Sequence, residues 1–401
     1  MELILKQILP ILLFAYLFFF EYKKNGDIFL VLILFCGYIS FSSNYAFPIY
    51  RILYQLIQVA IFIVYLAKYK FDFLKTKTGK WLAIYLLFIF ISSLGNRYNE
   101  EYWISVLNFI TIFFVIAFVT KNINDLQKLY KLLSFLKRLV FIVAIFTIIA
   151  FVFERVRIEL TTNNTNYLAY FLGIGFSIAL FLPESKKNRI IAPVIGLAIL
   201  CTSSRIVVIS SLIIILIYIL SRKRKLIVNL LLIAVGLVAM VGFVDISKYF
   251  DQSRYADIDK DASTVERIEI IQTSKKIIAE NPVNGIGYSQ FQYEFLHYVS
   301  KNTEYLANAE EIVTHNDFIR VIDELGLPAL VFFLYMIITQ FVILWKLPVV
   351  LRLLLMGVFI SNISYSTSHN NLNSFLFWFL LTLPGMVSYL ISKGKYVKKI
   401  G

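Results

Sequence analysis

Charged residues are scarce in this chain. They account for 16% of its 401 residues, whereas hydrophobic residues account for 59% and aromatic residues for 16%. A soluble globular domain carries about 25% charged residues, so this composition excludes an ordinary soluble protein. The sequence instead predicts an all-α, polytopic integral membrane protein that lies in a lipid bilayer.

Cysteine is nearly absent, which limits the metal and redox chemistry open to the chain. Cys36 and Cys201 both lie inside apolar segments, where a disulfide framework or a thiolate metal site is not expected. Asp257, Asp259 and Asp261 alternate as calcium ligands do, but the glycine and the terminal glutamate of a calcium loop are missing. A solvated linker explains these aspartates, so the sequence predicts no metal site.

Long apolar runs are what the chain has in abundance. A transmembrane helix needs about 20 apolar residues, and scanning for such runs predicts about 12 or 13 transmembrane helices. They lie near 3–20, 28–43, 49–67, 81–95, 103–119, 137–153, 165–182, 190–204, 205–220, 226–244, 326–345, 349–365 and 372–391. No internal repeat is visible, which weighs against a transporter built from two related halves.

Clusters of lysine and arginine predict the orientation of these helices. Clusters such as 222–225 alternate along the chain with connections that carry few cations, so the clustered connections are expected to be cytoplasmic. The chain then divides into N-terminal transmembrane helices at 1–244, a large extracytoplasmic loop containing helices at 245–325, and C-terminal transmembrane helices with a basic cytoplasmic tail at 326–401. The net charge of +14 reflects this pattern and needs no nucleic acid partner.

The loop at 245–325 is the one long polar stretch of the sequence. It holds about 15 of the 25 acidic residues and two of the three histidines. Functional residues concentrate on loops that a rigid scaffold positions. We therefore expect the chemistry of this protein at that loop.

Arg205 and two asparagines stand at predicted membrane boundaries, and a second candidate arginine, Arg267, lies in the loop at 245–325. Arg205, between two apolar runs, is either a snorkelling turn residue or a cation that binds a phosphate or pyrophosphate. Arg267 lies in an amphipathic helix, where it is either a solvated charge or a second such cation. Asn164 and Asn166 open a span, where asparagines cap the helix or hold a sugar hydroxyl.

His315 lies near the point where the chain re-enters the membrane. It is either a structural histidine or a general base that accepts a proton from a sugar hydroxyl. Glu311, four residues earlier, would orient the imidazole if that turn is helical, and either Thr314 or Asn316 would cap a helix. His297 and His369 are interpreted as structural, with His369 in an outer turn the better functional candidate.

Taken in order, these motifs resemble a known family. They are Asn164, Asn166 and Ala169 at the start of a mid-chain span, Ser204-Arg205 between short spans, Arg267 followed by Pro282, Gly285 and Gly287, and His315-Asn316 followed by Glu324 and Gly326-Leu327-Pro328. Over roughly 160–390 the chain resembles the O-antigen ligase/polymerase superfamily, which includes bacterial capsule and exopolysaccharide repeat-unit polymerases. It departs from the family pattern at Ile271, where tryptophan is frequent, and at Thr165, where proline is frequent.

The resemblance implies a glycosyltransferase of the bacterial cytoplasmic (inner) membrane, with its active site on the extracytoplasmic face. It would polymerise oligosaccharide repeat units carried on polyprenyl (undecaprenyl) pyrophosphate into an O-antigen, capsule or exopolysaccharide, with inversion and without a metal or other cofactor. Arg205 and Arg267 would hold the pyrophosphate and His315 would be the base. The substrate-binding residues would be Asn164, Asn166, Ser204, Asn316 and Glu311. The partners would be a lipid-linked glycan donor, a glycan acceptor, a flippase and chain-length regulators.

Three alternatives stay open on the sequence alone. The first is ligase-type transfer of the glycan to a different acceptor, for which the sequence holds no specific feature. The second is a transporter or flippase of lipid-linked sugars, whose charges would line a path across the membrane. The third is a sensor or assembly partner. Charge is scarce within the predicted spans and the candidate residues collect at one face, which favours chemistry over passage.

Overall fold

The computed structural model describes residues 2–41, 48–69, 72–94, 100–154, 158–162, 164–182, 190–221, 262–298 and 313–393. Within these ranges the chain forms 15 α-helices and no strand, which confirms the predicted all-α class. In chain order they are α1 Glu2–Tyr16, α2 Phe29–Phe41, α3 Pro48–Tyr69, α4 Lys77–Ile91, α5 Glu100–Asn122, α6 Leu126–Glu154, α7 Thr165–Phe181, α8 Ile191–Thr202, α9 Arg205–Ser221, α10 Ala262–Glu280, α11 Phe291–Tyr298, α12 Asp317–Leu325, α13 Leu327–Trp345, α14 Val349–Ser366 and α15 Phe375–Ser392. A π-helical turn follows α1 at Leu17–Glu21, and 3-10 turns occur at Gly26–Ile28, Asp72–Lys75 and Leu160–Thr162.

Many of these helices are apolar enough to cross a membrane. Seven described stretches are also long enough: Ile4–Glu21, Ile49–Tyr69, Glu100–Asn122, Leu126–Glu154, Leu327–Trp345, Val349–Ser366 and Phe375–Ser392. Four shorter apolar helices accompany them: Gly26–Ser40, Thr165–Phe181, Ile191–Thr202 and Arg205–Ser221. The chain is therefore a multi-pass membrane protein, as predicted. The span predicted near 226–244 falls outside the described residues.

The helix predicted near 81–95 starts and ends about one turn earlier, as α4. Thr76 Oγ1 accepts a hydrogen bond from Gly79 N at 3.0 Å and caps the helix N-terminus. The turn this cap starts contains Lys77 and Lys80. A search for apolar residues passes over that turn, so the cap was the better guide to the start of this helix.

Helix α7 packs against α6, α8, α9 and α14. A Cβ atom on Gly175 would lie 2.3 Å from Val140 Cγ1, and one on Gly173 would lie 3.1 Å from Val207 Cγ1. Small residues of this kind let helices approach closely inside a membrane, where tight packing rather than the hydrophobic effect holds them together. The first turn of α7 is thereby fixed relative to its neighbours.

Helices α10 and α11 share a small second core. It contains five buried residues, Ile270, Ile277, Ile286, Phe291 and Phe295. The main core, in contrast, runs through all the apolar helices of the bundle. Because so few apolar side chains hold this region together, its position relative to the bundle depends strongly on hydrogen bonds.

The glycine-containing turn after α10 lies beside the end of α12. Three backbone hydrogen bonds join them: Ile286 N to Asp323 O (2.8 Å), Gly287 N to Glu324 O (3.0 Å) and Leu327 N to Pro282 O (2.8 Å). Gly285 and Gly326 both have positive φ, at 63° and 86°. A Cβ on Gly285 would lie 2.4 Å from the Glu324 carbonyl carbon, and one on Gly326 would lie 2.0 Å from Val283 O. These glycines therefore allow two backbone segments to pack closely.

Candidate active site

A cavity of about 700 Å³ opens at the end of the bundle where α5 and α7 begin and α14 ends. Its size is that of a small-molecule binding site, about 300–1,000 Å³. It is lined by Glu101, Ser105, Thr162, Asn164, Tyr167, Ser289, Phe291, Gln292, Val313, Thr314, His315, Arg320, Glu324, Tyr365, His369, Asn370 and Asn373. The loop region and the membrane helices thus form the cavity together.

Neutral polar side chains dominate this cavity. Eight of the 17 described lining residues are serine, threonine, asparagine or glutamine: Ser105, Thr162, Asn164, Ser289, Gln292, Thr314, Asn370 and Asn373. Three are aromatic, and the charged ones are Glu101, Glu324 and Arg320. Hydroxyls and amides both donate and accept hydrogen bonds. The lining therefore suits a ligand with many hydroxyl groups.

His315 lies in this cavity in a left-handed backbone conformation, with φ of 50°. Both of its neighbours are fixed to the turn that follows α14. Thr314 Oγ1 donates to Asn370 Oδ1 at 2.7 Å, and Asn316 Nδ2 donates to Thr367 O at 3.0 Å. A non-glycine residue in this region costs about 1–3 kcal/mol, which the surrounding contacts must offset.

Asp317 adds a third connection to the same turn. Its Oδ1 accepts hydrogen bonds from Asn371 N at 2.8 Å and from Leu372 N at 3.2 Å. The side chain is fully buried. Burial raises the pKa of Asp317 to about 7, although the backbone N–H bonds lower it. The first residue of α12 therefore holds the turn that carries His369.

His369 is buried and lies in a stack of three rings. Its imidazole is 4.8 Å from the Tyr365 ring at an interplanar angle of 7°, and Tyr365 stacks on Tyr170 at 4.4 Å. Its Nδ1 is hydrogen-bonded to Ser368 Oγ at 2.8 Å. The ring centroids of His369 and His315 are 6.3 Å apart. The structure thus brings two histidines to one cavity.

Arg320 and Glu324 form a buried ion pair in the cavity wall, with 3.1 Å between Nε and Oε2. Ser289 joins both partners, because its N donates to Glu324 Oε2 at 2.8 Å and its Oγ accepts from Arg320 at 2.9 Å. Burial raises the pKa of Glu324, and the Arg320 guanidinium lowers it. Burial also works against the charge on Arg320, but the Glu324 carboxylate raises the pKa of the guanidinium above its usual value.

Two of the predicted asparagines, Asn164 and Asn316, cap helices. Asn164 caps α7, because its Oδ1 accepts from Asn166 N at 2.9 Å and from Tyr167 N at 3.2 Å, and it also lines the cavity. Asn316 caps α12 in the same way, which confirms the cap expected there. Glu311 and the aspartates at 257, 259 and 261 lie outside the described residues.

Arg205 is the first residue of α9, immediately after the buried Ser204. The Oγ of Ser204 makes no hydrogen bond to the described residues. Val207, two residues after Arg205, packs against Gly173 of α7. Gly173 lies about 13 Å along α7 from Asn164. The half-buried Arg205 therefore starts its helix deeper in the bundle than Asn164, and it does not line the cavity.

Arg267 lies on the inward face of α10, with Ile270, Ser274 and Ile277 following at helical spacing. Ser274 Oγ donates to Asp323 Oδ2 of α12 at 2.6 Å. Arg267 is two helical turns before that contact, about 10 Å along the axis. It is half-buried and, like Arg205, does not line the cavity.

Arg320 and Glu324 are two cavity residues that were not among the site residues predicted from the sequence. Together with Asn316 they are spaced four residues apart, so they lie on one face of α12. A carboxylate and a guanidinium at this spacing, directly before an apolar run, are the signal that would have found them.

No group of three or more histidine, cysteine, aspartate or glutamate side chains within the described part of the chain is close enough to hold a metal ion. Comparison with known families gives one match: residues 190–334 match the family model described as O-antigen ligase. This match confirms the resemblance found in the sequence, over less than half of the chain, and it includes Arg205, Arg267 and His315. No curated protein matches the chain.

Proposed function

We propose that this protein, which carries an O-antigen ligase domain, is a membrane glycosyltransferase that polymerises polyprenyl-pyrophosphate-linked oligosaccharide repeat units into a surface polysaccharide. The observation that carries the proposal is the position of His315. It lies in a cavity rich in hydroxyl and amide groups, within the segment that matches the O-antigen ligase model. Histidine is a suitable general base for a sugar hydroxyl.

The reaction needs only a base and groups that hold negative charge. His315 accepts the proton of the acceptor hydroxyl, and the hydroxyl oxygen forms a bond to the anomeric carbon of the donor. The bond from that carbon to the pyrophosphate oxygen breaks, and its electron pair leaves with the pyrophosphate. Attack from the side opposite the leaving group inverts the anomeric centre.

Arg205 and Arg267 are the proposed binding groups for the pyrophosphate. Guanidinium groups donate two parallel hydrogen bonds to phosphate oxygens. Both side chains are half-buried, and Arg205 opens a helix whose N-terminus favours an anion. By analogy with an oxyanion donor, loss of one of these arginines costs about 3 kcal/mol of transition-state stabilisation, which is roughly 100-fold in rate.

A second candidate is ligation, in which the same donor is transferred to a different acceptor. The description of the matched family favours it, because that description is O-antigen ligase. Polymerase and ligase use the same donor and differ only in the acceptor. Their products distinguish them: a polymerase variant leaves single repeats, whereas a ligase variant leaves long chains that are not attached.

The test is the glycan profile of cells that carry His315→Ala, Arg205→Ala or Arg267→Ala. There are two matched controls. His297→Ala changes an exposed histidine of α11, and Arg352→Ala removes an exposed hydrogen bond from α14 to Trp345 O. Protein amount and membrane insertion are measured for every variant. We expect single lipid-linked repeats in the first three strains and normal chains in the two controls.

Long unattached polymer would indicate a ligase, and unchanged polymer with unchanged attachment would contradict both enzyme functions. The membrane face is tested separately with an impermeant thiol reagent. Glu100→Cys lies exposed beside the cavity and Lys393→Cys lies exposed after α15, while the native cysteines are buried. Labelling of Glu100→Cys but not Lys393→Cys in intact cells is expected for an extracytoplasmic active site.

A further inference from the structure

Hydrogen bonds hold the segment that carries His315 against the turn that carries His369. Hydrogen bonds from Thr314 and Asn316, on both sides of His315, end on the turn 367–370, which contains His369. The Asp317 carboxylate also accepts a hydrogen bond from the backbone N–H of Asn371, directly after that turn. These three hydrogen bonds join the two segments that carry the histidines and hold their backbones next to each other.

The His369 imidazole is also fixed in orientation. One face of the ring is covered by Tyr365 at 4.8 Å, and Nδ1 is bound to Ser368 Oγ at 2.8 Å. The two imidazole planes are inclined at 83°, with centroids 6.3 Å apart. Both rings line the same cavity, so one ligand placed between them would contact both.

The charge of the cavity indicates which part of the substrate it receives. Among the described residues, its wall contains the carboxylate of Glu101 and the ion pair of Arg320 with Glu324, in which the arginine charge is already balanced. Arg205 and Arg267 lie outside the lining. Carboxylates repel pyrophosphate, while hydroxyl and amide groups bind neutral sugars well. A sugar acceptor fits this cavity better than the pyrophosphate of the donor.

We propose that the cavity is the acceptor-sugar site and that His369 is a second substrate-binding histidine. This inference rests on the proposed function. His315 takes the proton from the attacking hydroxyl, and His369 forms a hydrogen bond with a neighbouring hydroxyl of the same sugar ring. The new bond joins the attacking oxygen to the anomeric carbon, and the leaving pyrophosphate keeps the electron pair of the broken bond. His369 thus decides which hydroxyl of the acceptor is presented.

The test uses the full-length protein in lipid nanodiscs. The donor is the lipid-linked repeat extracted from cells that lack this protein, and the acceptor probe is the same repeat released from its lipid by mild acid. Initial rates are measured at varied donor and varied acceptor concentrations for His369→Ala, His369→Gln, His315→Ala and the control His297→Ala. The acceptor KM and the donor KM are thereby separated.

For His369→Ala we expect an acceptor KM raised about tenfold or more, the effect of one lost hydrogen bond of about 1.4 kcal/mol, with an unchanged donor KM. His369→Gln keeps a hydrogen-bonding group and should recover part of that loss. His315→Ala should instead lower kcat by about 100-fold or more. His297→Ala should match the native protein.

An unchanged acceptor KM in His369→Ala, together with the loss of kcat in His315→Ala, would overturn the inference and leave the proposed function intact. A raised donor KM in His369→Ala would also overturn it, because the cavity would then bind the donor. Normal kinetics in both variants would contradict the proposed function itself. If His369→Ala yields little folded protein, His369→Gln takes its place. Ser368→Ala then serves as the second variant, because it leaves the His369–Tyr365 stack intact but removes the hydrogen bond that orients the imidazole, and it should also raise the acceptor KM.

Discussion

Two arginine–glutamate pairs, one partly exposed and one buried, stabilise two different regions of this protein. Arg138 of α6 binds Glu21 of the π-helical turn with 2.7 Å between the nitrogen and Oε1, so this pair joins two helices far apart in the sequence. Arg320 and Glu324 are 3.1 Å apart within the single short helix α12. The first pair connects membrane helices to each other, whereas the second shapes one wall of a cavity.

The surroundings of the two carboxylates explain this difference. Glu21 accepts further hydrogen bonds from the Tyr16 hydroxyl at 2.7 Å and the Asn25 amide at 2.5 Å, both of which are side chains close in sequence. Glu324 accepts instead from the backbone of Ser289, which lies in the loop region. The same pair of residue types therefore joins two membrane helices in one region and positions cavity-lining backbone in the other.

The largest effect that this comparison predicts is that of Arg320→Ala. Removal of the guanidinium leaves the Glu324 carboxylate buried and without its cation, which costs about 3–5 kcal/mol. Because Arg320 also binds Ser289 Oγ, the cavity wall should shift and transfer should be lost. The measurement is the amount and the melting temperature of purified protein, together with the transfer rate per folded molecule.

Arg320→Lys is the informative companion variant. Lysine keeps the charge but lacks the forked donor geometry that reaches both Glu324 and Ser289. It should recover more stability than activity. If Arg320→Ala retained native stability and native rate, the second pair would have no role in the site.

Gly326→Ala should have the next largest effect. Gly326 has φ of 86°, and a Cβ there would lie 2.0 Å from Val283 O, so both the backbone conformation and the packing oppose a side chain. We expect a loss of about 1–3 kcal/mol from the strained conformation alone, and a displaced α12. Gly26, near the first pair, is the matched control because no atom lies within 4 Å of a Cβ placed on it. Equal melting temperatures for Gly326→Ala and Gly26→Ala would contradict the close packing of the two turns.

Patterns of single residue types predicted the fold well, but they predicted only some of the residues that line the cavity. Apolar runs found the helices, because burial in lipid requires about 20 apolar residues and leaves a long uniform signal. They could not find the start of α4, which Thr76 determines through one hydrogen bond. His315 was predicted because a polar motif carries it.

Other parts of the site depend on contacts between distant segments. His369 reaches the cavity because Asp317 holds its turn, over a separation of more than 50 residues that no local pattern reveals. The ion pair of Arg320 and Glu324 is local, but only its contact with Ser289 connects it to the cavity. The positions of these residues therefore depend on tertiary hydrogen bonds, which a local sequence pattern does not show.

Arg138→Ala should have a smaller effect, confined to stability. Glu21 keeps its bonds from Tyr16 and Asn25, and the Arg138 side chain is 31% exposed, so water can reach the site. We expect a loss of about 1.5–3 kcal/mol, typical of a hydrogen bond to a charged group. Glu154 is at the end of α6 nearer the cavity, and Arg138 lies about 24 Å away from it along the helix. A reduced melting temperature with a normal transfer rate per folded molecule is expected, and a reduced rate would show that the first pair also acts on the cavity.

The smallest expected effect is on the pH dependence of stability. It distinguishes the region of the Arg320–Glu324 pair from that of the Arg138–Glu21 pair. Burial raises the pKa of Asp323 from 3.8 to about 7, with the neighbouring Glu324 carboxylate acting in the same direction and the Ser274 hydroxyl against it. Between about pH 4 and pH 7 the folded protein therefore holds a proton that the unfolded chain has lost, so the free energy of unfolding falls as the pH rises through this window. Asp323→Asn keeps an oxygen acceptor for Ser274 without the titration. We expect the melting temperature of Asp323→Asn to depend less steeply on pH between 5 and 8 than that of the native protein. Arg138→Ala should keep the native slope, because Asp323 and Asp317, two carboxyl groups whose pKa is raised to about 7, both lie in α12 with the second pair.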